Sequence, residues 1–151
     1  MDFASRAAVL AALIIAPVAA SAGGWKIDKE GDFTAASTTY RAGNQFGVTC
    51  QNAGGSCAWV LKTKKECKDA GTFDVTILTD GLPTPSKVQC LPREGKEPAF
   101  FAILNFEQIA QLVPLSKTLA FQSEAQPLVN SGPFAVEDPS GVLNSLAEAV
   151  K

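Results

Sequence analysis

Four cysteines, Cys50, Cys57, Cys67 and Cys90, stand downstream of an apolar leader, and together these two features constrain the fold most strongly. Residues 1–6 hold one cation, Arg6, and residues 7–16 (AAVLAALIIA) are unbroken apolar sequence. Pro17 interrupts the run, and Ala20-Ser21-Ala22 puts small residues where a signal peptidase reads them. This is the layout of a secretory signal whose apolar centre is too short to span a bilayer. Cleavage after Ala22 would deliver all four cysteines to an oxidising compartment, where disulfides persist. The expected organisation is a signal peptide at 1–22, an N-terminal arm at 23–32 and a single exported domain at 33–151.

The cysteine spacing excludes the common alternatives to disulfides. Structural zinc sites usually bring paired C-x₂₋₄-C knuckles, and a thioredoxin-like redox centre needs C-x-x-C; neither occurs. Two structural disulfides are therefore expected. Cys50 and Cys57 lie at opposite feet of a proposed hairpin, which favours pairing Cys50–Cys57 and Cys67–Cys90. The alternative nests Cys57–Cys67 inside Cys50–Cys90, and spacing alone does not separate the two.

Of the 151 residues, the roughly 130 that would remain after cleavage are the ordinary size of one domain with a full core. The sequence has 13 Lys and Arg against 15 Asp and Glu, a net charge of −2. Loss of Asp2 and Arg6 with the leader leaves that balance unchanged. Nucleic acid and anionic membrane both demand a basic stripe, so neither is expected as a partner. Lys62, Lys64 and Lys65 form the one basic cluster, and Glu66 follows at once. Beyond the leader no run is long and apolar enough to span a membrane, so no stable membrane insertion is expected after cleavage.

From Phe33 onward, short strand-like runs alternate with turn residues. Strands are expected at 34–40, 46–50, 57–61, 72–78, 87–91, 99–104, 118–121 and 134–136. Phe46, Val48 and Cys50 share one face, as do Phe73, Val75 and Ile77. Loops are expected at 51–56, 79–85 and 92–98, each rich in glycine, proline or charge. Asn105 can cap a helix, with Gln108 completing a capping box and Pro114 stopping it. A second helix is expected from Asp138 as cap and Pro139 at the first helical position, with Val142, Leu143, Leu146 and Val150 as its apolar stripe. The fold class these elements predict is α+β, a mainly antiparallel sheet of short strands with two short helices in the C-terminal third.

The chain has no histidine. That removes Ser-His-Asp and Cys-His nucleophilic sites, most catalytic zinc sites and the usual base near neutral pH. Ser86-Lys87 and Ser116-Lys117 are sequence neighbours, and in a strand neighbours point to opposite faces. Asp28, Glu30 and Asp32 alternate like the first ligands of a calcium loop, but Ala42 fills the region where its closing glutamate would fall. No catalytic, cofactor-binding or metal-ligating residue is therefore assigned, and no cofactor is expected. The expected function is an exported, disulfide-stabilised, non-enzymatic binding module (an inhibitor, immunity-type or envelope accessory protein) acting through surface loops on another protein in the envelope or outside the cell. The partner-binding residues expected from those loops are Gln51, Asn52, Asp80, Arg93, Glu94 and Lys96. The competing classes are a small exported hydrolase using paired carboxylates and a structural envelope component.

Overall fold

The computed structural model describes residues 24–41, 43–52, 54–96, 99–137 and 140–149. The expected signal peptide, the helix-capping pair Asp138 and Pro139, and Val150 lie outside these residues. The fold is mostly antiparallel β-sheet with few helices and two disulfides. Among the described residues nine strands form one sheet: β1 (Lys26–Glu30), β2 (Phe33–Thr39), β3 (Gln45–Gln51), β4 (Cys57–Lys62), β5 (Gly71–Thr79), β6 (Leu82–Leu91), β7 (Phe100–Ile103), β8 (Thr118–Gln122) and β9 (Ser131–Ala135). Their spatial order is β1-β2-β3-β4-β7-β6-β5-β8-β9, every neighbour antiparallel. The sheet curls until β9 approaches β2, where the Thr38 hydroxyl donates to the Ala135 carbonyl at 3.1 Å.

Curling brings aromatic side chains from distant strands into one core. Phe46 of β3 stacks on Trp59 of β4 with centroids 5.3 Å apart and planes 8° from parallel. It also meets Phe121 of β8 at 5.5 Å and Phe134 of β9 at 5.8 Å. All four side chains are buried. Ring pairs in offset or tilted geometry add to the area they bury, so this cluster is the energetic centre of the fold.

Two expectations fail at specific residues. The supposed arm contains β1, which pairs along its whole length with β2, from Lys26↔Ser37 to Glu30↔Phe33. Its charged residues hide a strand because an edge strand needs one apolar contact face and gains protection from charge on the other. Asp28 thus sits in a strand rather than in a cation-binding loop. The supposed loop at 79–85 is a tight hairpin in which Asp80-Gly81, with φ of 50° and 83°, joins β5 directly to β6. Two central residues with positive φ match the twist of a two-residue hairpin, and Asp-Gly supplies them.

Pro83 and Pro85 are compatible with β6 for a geometric reason. In such a hairpin the flanking pair Thr79/Leu82 exchanges hydrogen bonds, so residues 83, 85 and 87 turn their amide positions away from β5. β7 covers β6 only from Val88 to Leu91, which leaves the prolines on an unpaired stretch of edge. The Pro85 carbonyl on that edge accepts from Gln108 Nε2 at 3.0 Å, and the Lys87 carbonyl accepts from the Leu104 amide at 3.0 Å.

Helix α1 (Phe106–Leu112) starts as expected, with Asn105 Oδ1 accepting from the Gln108 amide at 3.1 Å. The reciprocal half of the capping box is missing: Gln108 Nε2 turns to the Pro85 carbonyl, and Oε1, the acceptor such a box would use, is buried without a hydrogen-bond partner among the described residues. Pro114 converts the helix end into a 3₁₀ turn, Val113–Leu115. Helix α2 (Ser140–Ala149) packs against β2. Leu146 is 4% exposed and Leu143 is half-buried against the main core, while Asn144 is exposed. Leu146→Ala should therefore lower stability by about 2–3 kcal/mol, in the lower part of the range for a buried leucine because α2 stands at the edge of the core. Asn144→Ala should stay within about 0.5 kcal/mol. Thermal melts of the two variants check this docking, since alanine favours helix at both sites.

The disulfides are Cys50–Cys57 and Cys67–Cys90. Cys50 and Cys57 are register partners at the foot of the β3–β4 hairpin. Cys67–Cys90 anchors the segment between β4 and β5 to β6, and both cysteines are buried.

Candidate functional site

The antiparallel order decides where each loop projects. β3 and β5 run in the same direction and β6 runs against them. Gln51, Asn52 and Asp80 therefore lie at one end of the sheet, and Arg93, Glu94 and Lys96 at the other. The six loop residues do not converge on one surface.

Several of them are engaged within the fold. Asn52 Oδ1 accepts from the Thr34 hydroxyl at 2.7 Å and its amide donates to the Asp32 carbonyl at 2.6 Å, tying the β3–β4 loop to the β1–β2 turn. Gln51 is exposed, with its amide donating to Ser56. Arg93 forms a two-pronged ion pair with Glu66, one arm of it 2.9 Å long, across the segment held by Cys67–Cys90. The Arg93 guanidinium holds the Glu66 carboxyl below its ordinary value, and the Glu66 carboxylate raises that of Arg93 in turn. Glu94 and Lys96 are exposed on this same end.

Asp80 has the most consequential position. Its carboxylate accepts from the Thr118 amide at 2.9 Å and the Lys117 amide at 3.0 Å, while its own amide donates to the Thr118 carbonyl. These bonds clamp the β5–β6 turn to the chain entering β8. The Thr118 amide, followed by that of Lys117, holds the Asp80 carboxyl below its ordinary value. A depressed carboxyl contributes stability that is present above the unfolded value near 3.9 and disappears as pH falls through the folded value. Asn tolerates the positive φ found at Asp80, so Asp80→Asn isolates the charge. The melting temperature of Asp80→Asn should lie below that of the parent at pH 7, and the gap should close as pH drops below about 4. Parallel melts from pH 7 to pH 2 measure it; a gap independent of pH contradicts the assignment.

The clamp presents an apolar surface that the sequence patterns did not single out. Leu82 follows the Asp80 turn and is 70% exposed, and Leu115, two residues before Lys117, is 84% exposed. Leu104, at the end of β7, is 46% exposed. Exposed prolines 83, 85 and 114 flank these leucines along the chain. Leu104 lines a recess of about 460 Å³ together with Pro85, Phe106 and Glu107, and the Lys87–Asp74 ion pair also lines it. One sequence signal was available: each leucine adjoins a turn or capping residue, outside the periodic stripes that mark core.

A larger open cleft of about 1230 Å³ runs along β5, β8 and β9. Leu78, Ala120 and Pro133 line it together with Thr76 and Gln122, and the β2–β3 turn bounds it with Tyr40 and Arg41.

Among the described residues no group of three His, Cys, Asp or Glu side chains could hold a metal ion, and no helix is long and apolar enough to cross a membrane. Two disulfides are compatible with an exported protein. Comparison with protein-family models, with curated proteins and with solved structures found no match to this chain.

Proposed function

We propose that this chain is an exported, disulfide-stabilised binding module of α+β type that acts on another protein through the surface around the Asp80 turn. The observation that carries the reading is the exposure of Leu82 and Leu115, 70% and 84%, on turns clamped together by one carboxylate. A large aliphatic side chain held in water by a rigid turn stabilises nothing within the chain, whereas a partner that covers it gains roughly 25 cal/mol per Å² of apolar area. The recess beside Leu104 has room for an apolar side chain of the partner, and the Lys87–Asp74 pair and Glu107 supply a polar rim of the kind binding surfaces carry. Prolines on the adjoining β6 edge remove amide donors, so the partner docks by side chains rather than by adding a strand.

The test compares capture from envelope extract by the exported chain and by Leu82→Asp/Leu115→Asp, followed by binding measurements with the captured protein after purification. The reading expects a saturable partner for the parent chain that the double variant loses while its melting temperature stays unchanged. Equal capture by both chains removes the leucine surface from the function.

A further inference from the structure

The β2–β3 turn carries a feature that the leucine surface does not use. Arg41 is a non-glycine residue at φ 53°, in the left-handed region that glycine adopts freely and side chains adopt at a cost. Its guanidinium lies 5.1 Å from the centroid of the Tyr40 ring, and that ring is itself braced edge-on by the buried Phe134 at 6.1 Å. An exposed arginine is thereby held over an aromatic face at the margin of the cleft along β5, β8 and β9. A planar guanidinium positioned in this way presents paired N–H donors that match a carboxylate.

The rest of the cleft narrows the ligand. Arg41 is the one cation among its described lining residues. Of the two carboxylates in the lining, Asp74 and Glu124, the first is paired with Lys87. A single lining cation suits a ligand with one carboxylate and offers no second positive group for a polyanion. Along β5 the lining runs from Asp74 to Leu78, a path that accommodates about five extended residues at roughly 3.3 Å each. Its alternation of apolar groups (Leu78, Ala120) with hydroxyl and amide groups (Thr76, Gln122) suits a polypeptide, which offers side chains and backbone polar groups in turn. We infer that this cleft binds an extended peptide segment whose C-terminal carboxylate is held by Arg41. The cleft borders the leucine surface, sharing Asp74, Pro85 and Ser86 with the recess beside Leu104, but its ligand is held through Arg41 and not through Leu82 or Leu115.

The probe is a fluorescein-labelled degenerate pentapeptide pool with free C-terminal carboxylates, alongside the same pool amidated at the C-terminus, each titrated by fluorescence anisotropy against the full exported chain. Saturable binding of the free-carboxylate pool is expected, weakened at least tenfold by amidation. Arg41→Gly should weaken it by a similar factor while its melting temperature holds at or above the parent value, because glycine relieves the positive φ. Arg41→Lys, which keeps the charge but not the fork, should fall between the two. Leu82→Asp/Leu115→Asp should bind the pool as the parent does, so failure of the leucine surface and failure of this site remain distinguishable. Absence of saturable binding, equal binding of the amidated pool, or unchanged binding by Arg41→Gly overturns the inference. A lower melting temperature for Arg41→Gly with binding intact assigns the residue to the turn alone.

Discussion

Phe46→Ala should be the most damaging single substitution in this protein, with an expected loss of about 3–5 kcal/mol. The ring is fully buried, stacked on Trp59 and in contact with Phe121 and Phe134. Truncation removes the transfer free energy of the ring, leaves a cavity among rigid aromatic neighbours and deletes contacts between β3 and the strands that curl over to meet it. A domain of this size has only about 5–15 kcal/mol of stability, so the melting temperature should fall by at least about 10 °C. Because the variant could unfold outright, Phe46→Leu provides the second measurement: it restores much of the volume and should recover more than half of the lost stability. Denaturant titrations of the three chains check the order. A Phe46→Ala melt within about 2 °C of the parent would mean that the sheet does not close over this ring.

Removing the Cys67–Cys90 bridge should have the next largest effect. On the loop-entropy account, releasing a constraint across 23 positions destabilises the chain by about 3.4 kcal/mol, against about 2.5 kcal/mol for the shorter Cys50–Cys57 bridge. The longer bridge also holds the segment that carries Glu66 against β6, so its loss loosens the Glu66–Arg93 end of the sheet. Cys67→Ser/Cys90→Ser should therefore melt lower than Cys50→Ser/Cys57→Ser. The intact chain purified without reductant should weigh four hydrogens less than its reduced form. Four free thiols, or the reverse order of melting, would contradict these roles.

The periodic parts of the fold were legible because period and partner agree. β5 alternates as read, with Val75 and Ile77 buried and Asp74 exposed, and α2 buries Leu146 while exposing Asn144. In β2 and β3 the alternation weakens: five consecutive residues of each strand are buried, and Ala35, Val60 and Phe100 form a second cluster apart from the main core. A strand covered on both faces carries no period-2 signal, so its chemistry cannot tell which face is which. The charged strand β1 and the proline-bearing half of β6 were missed for a related reason. Each lies on a sheet edge, where charge and proline are tolerated, and edge position is a property of the assembled sheet.

The candidate surfaces divide along the same line. Asp80 was legible as a turn residue, but its use as a clamp depends on Lys117 and Thr118, which lie 37 and 38 residues away. Leu82 and Leu115 carried no signal beyond their place beside turn residues, because a leucine reads as core until the structure shows what fails to cover it. By itself the sequence determined the features set by local chemistry: cysteines spaced for disulfides rather than zinc, the strand and helix periods, and the lack of any histidine. Only the tertiary structure decided that the six chosen loop residues fall at opposite ends of the sheet, that three of them are occupied holding it together, and that exposed leucines and a braced arginine occupy the surfaces between. Those outcomes depend on strand order and on the curl of the sheet, which arise from contacts between residues far apart in the chain and leave no mark on any one segment.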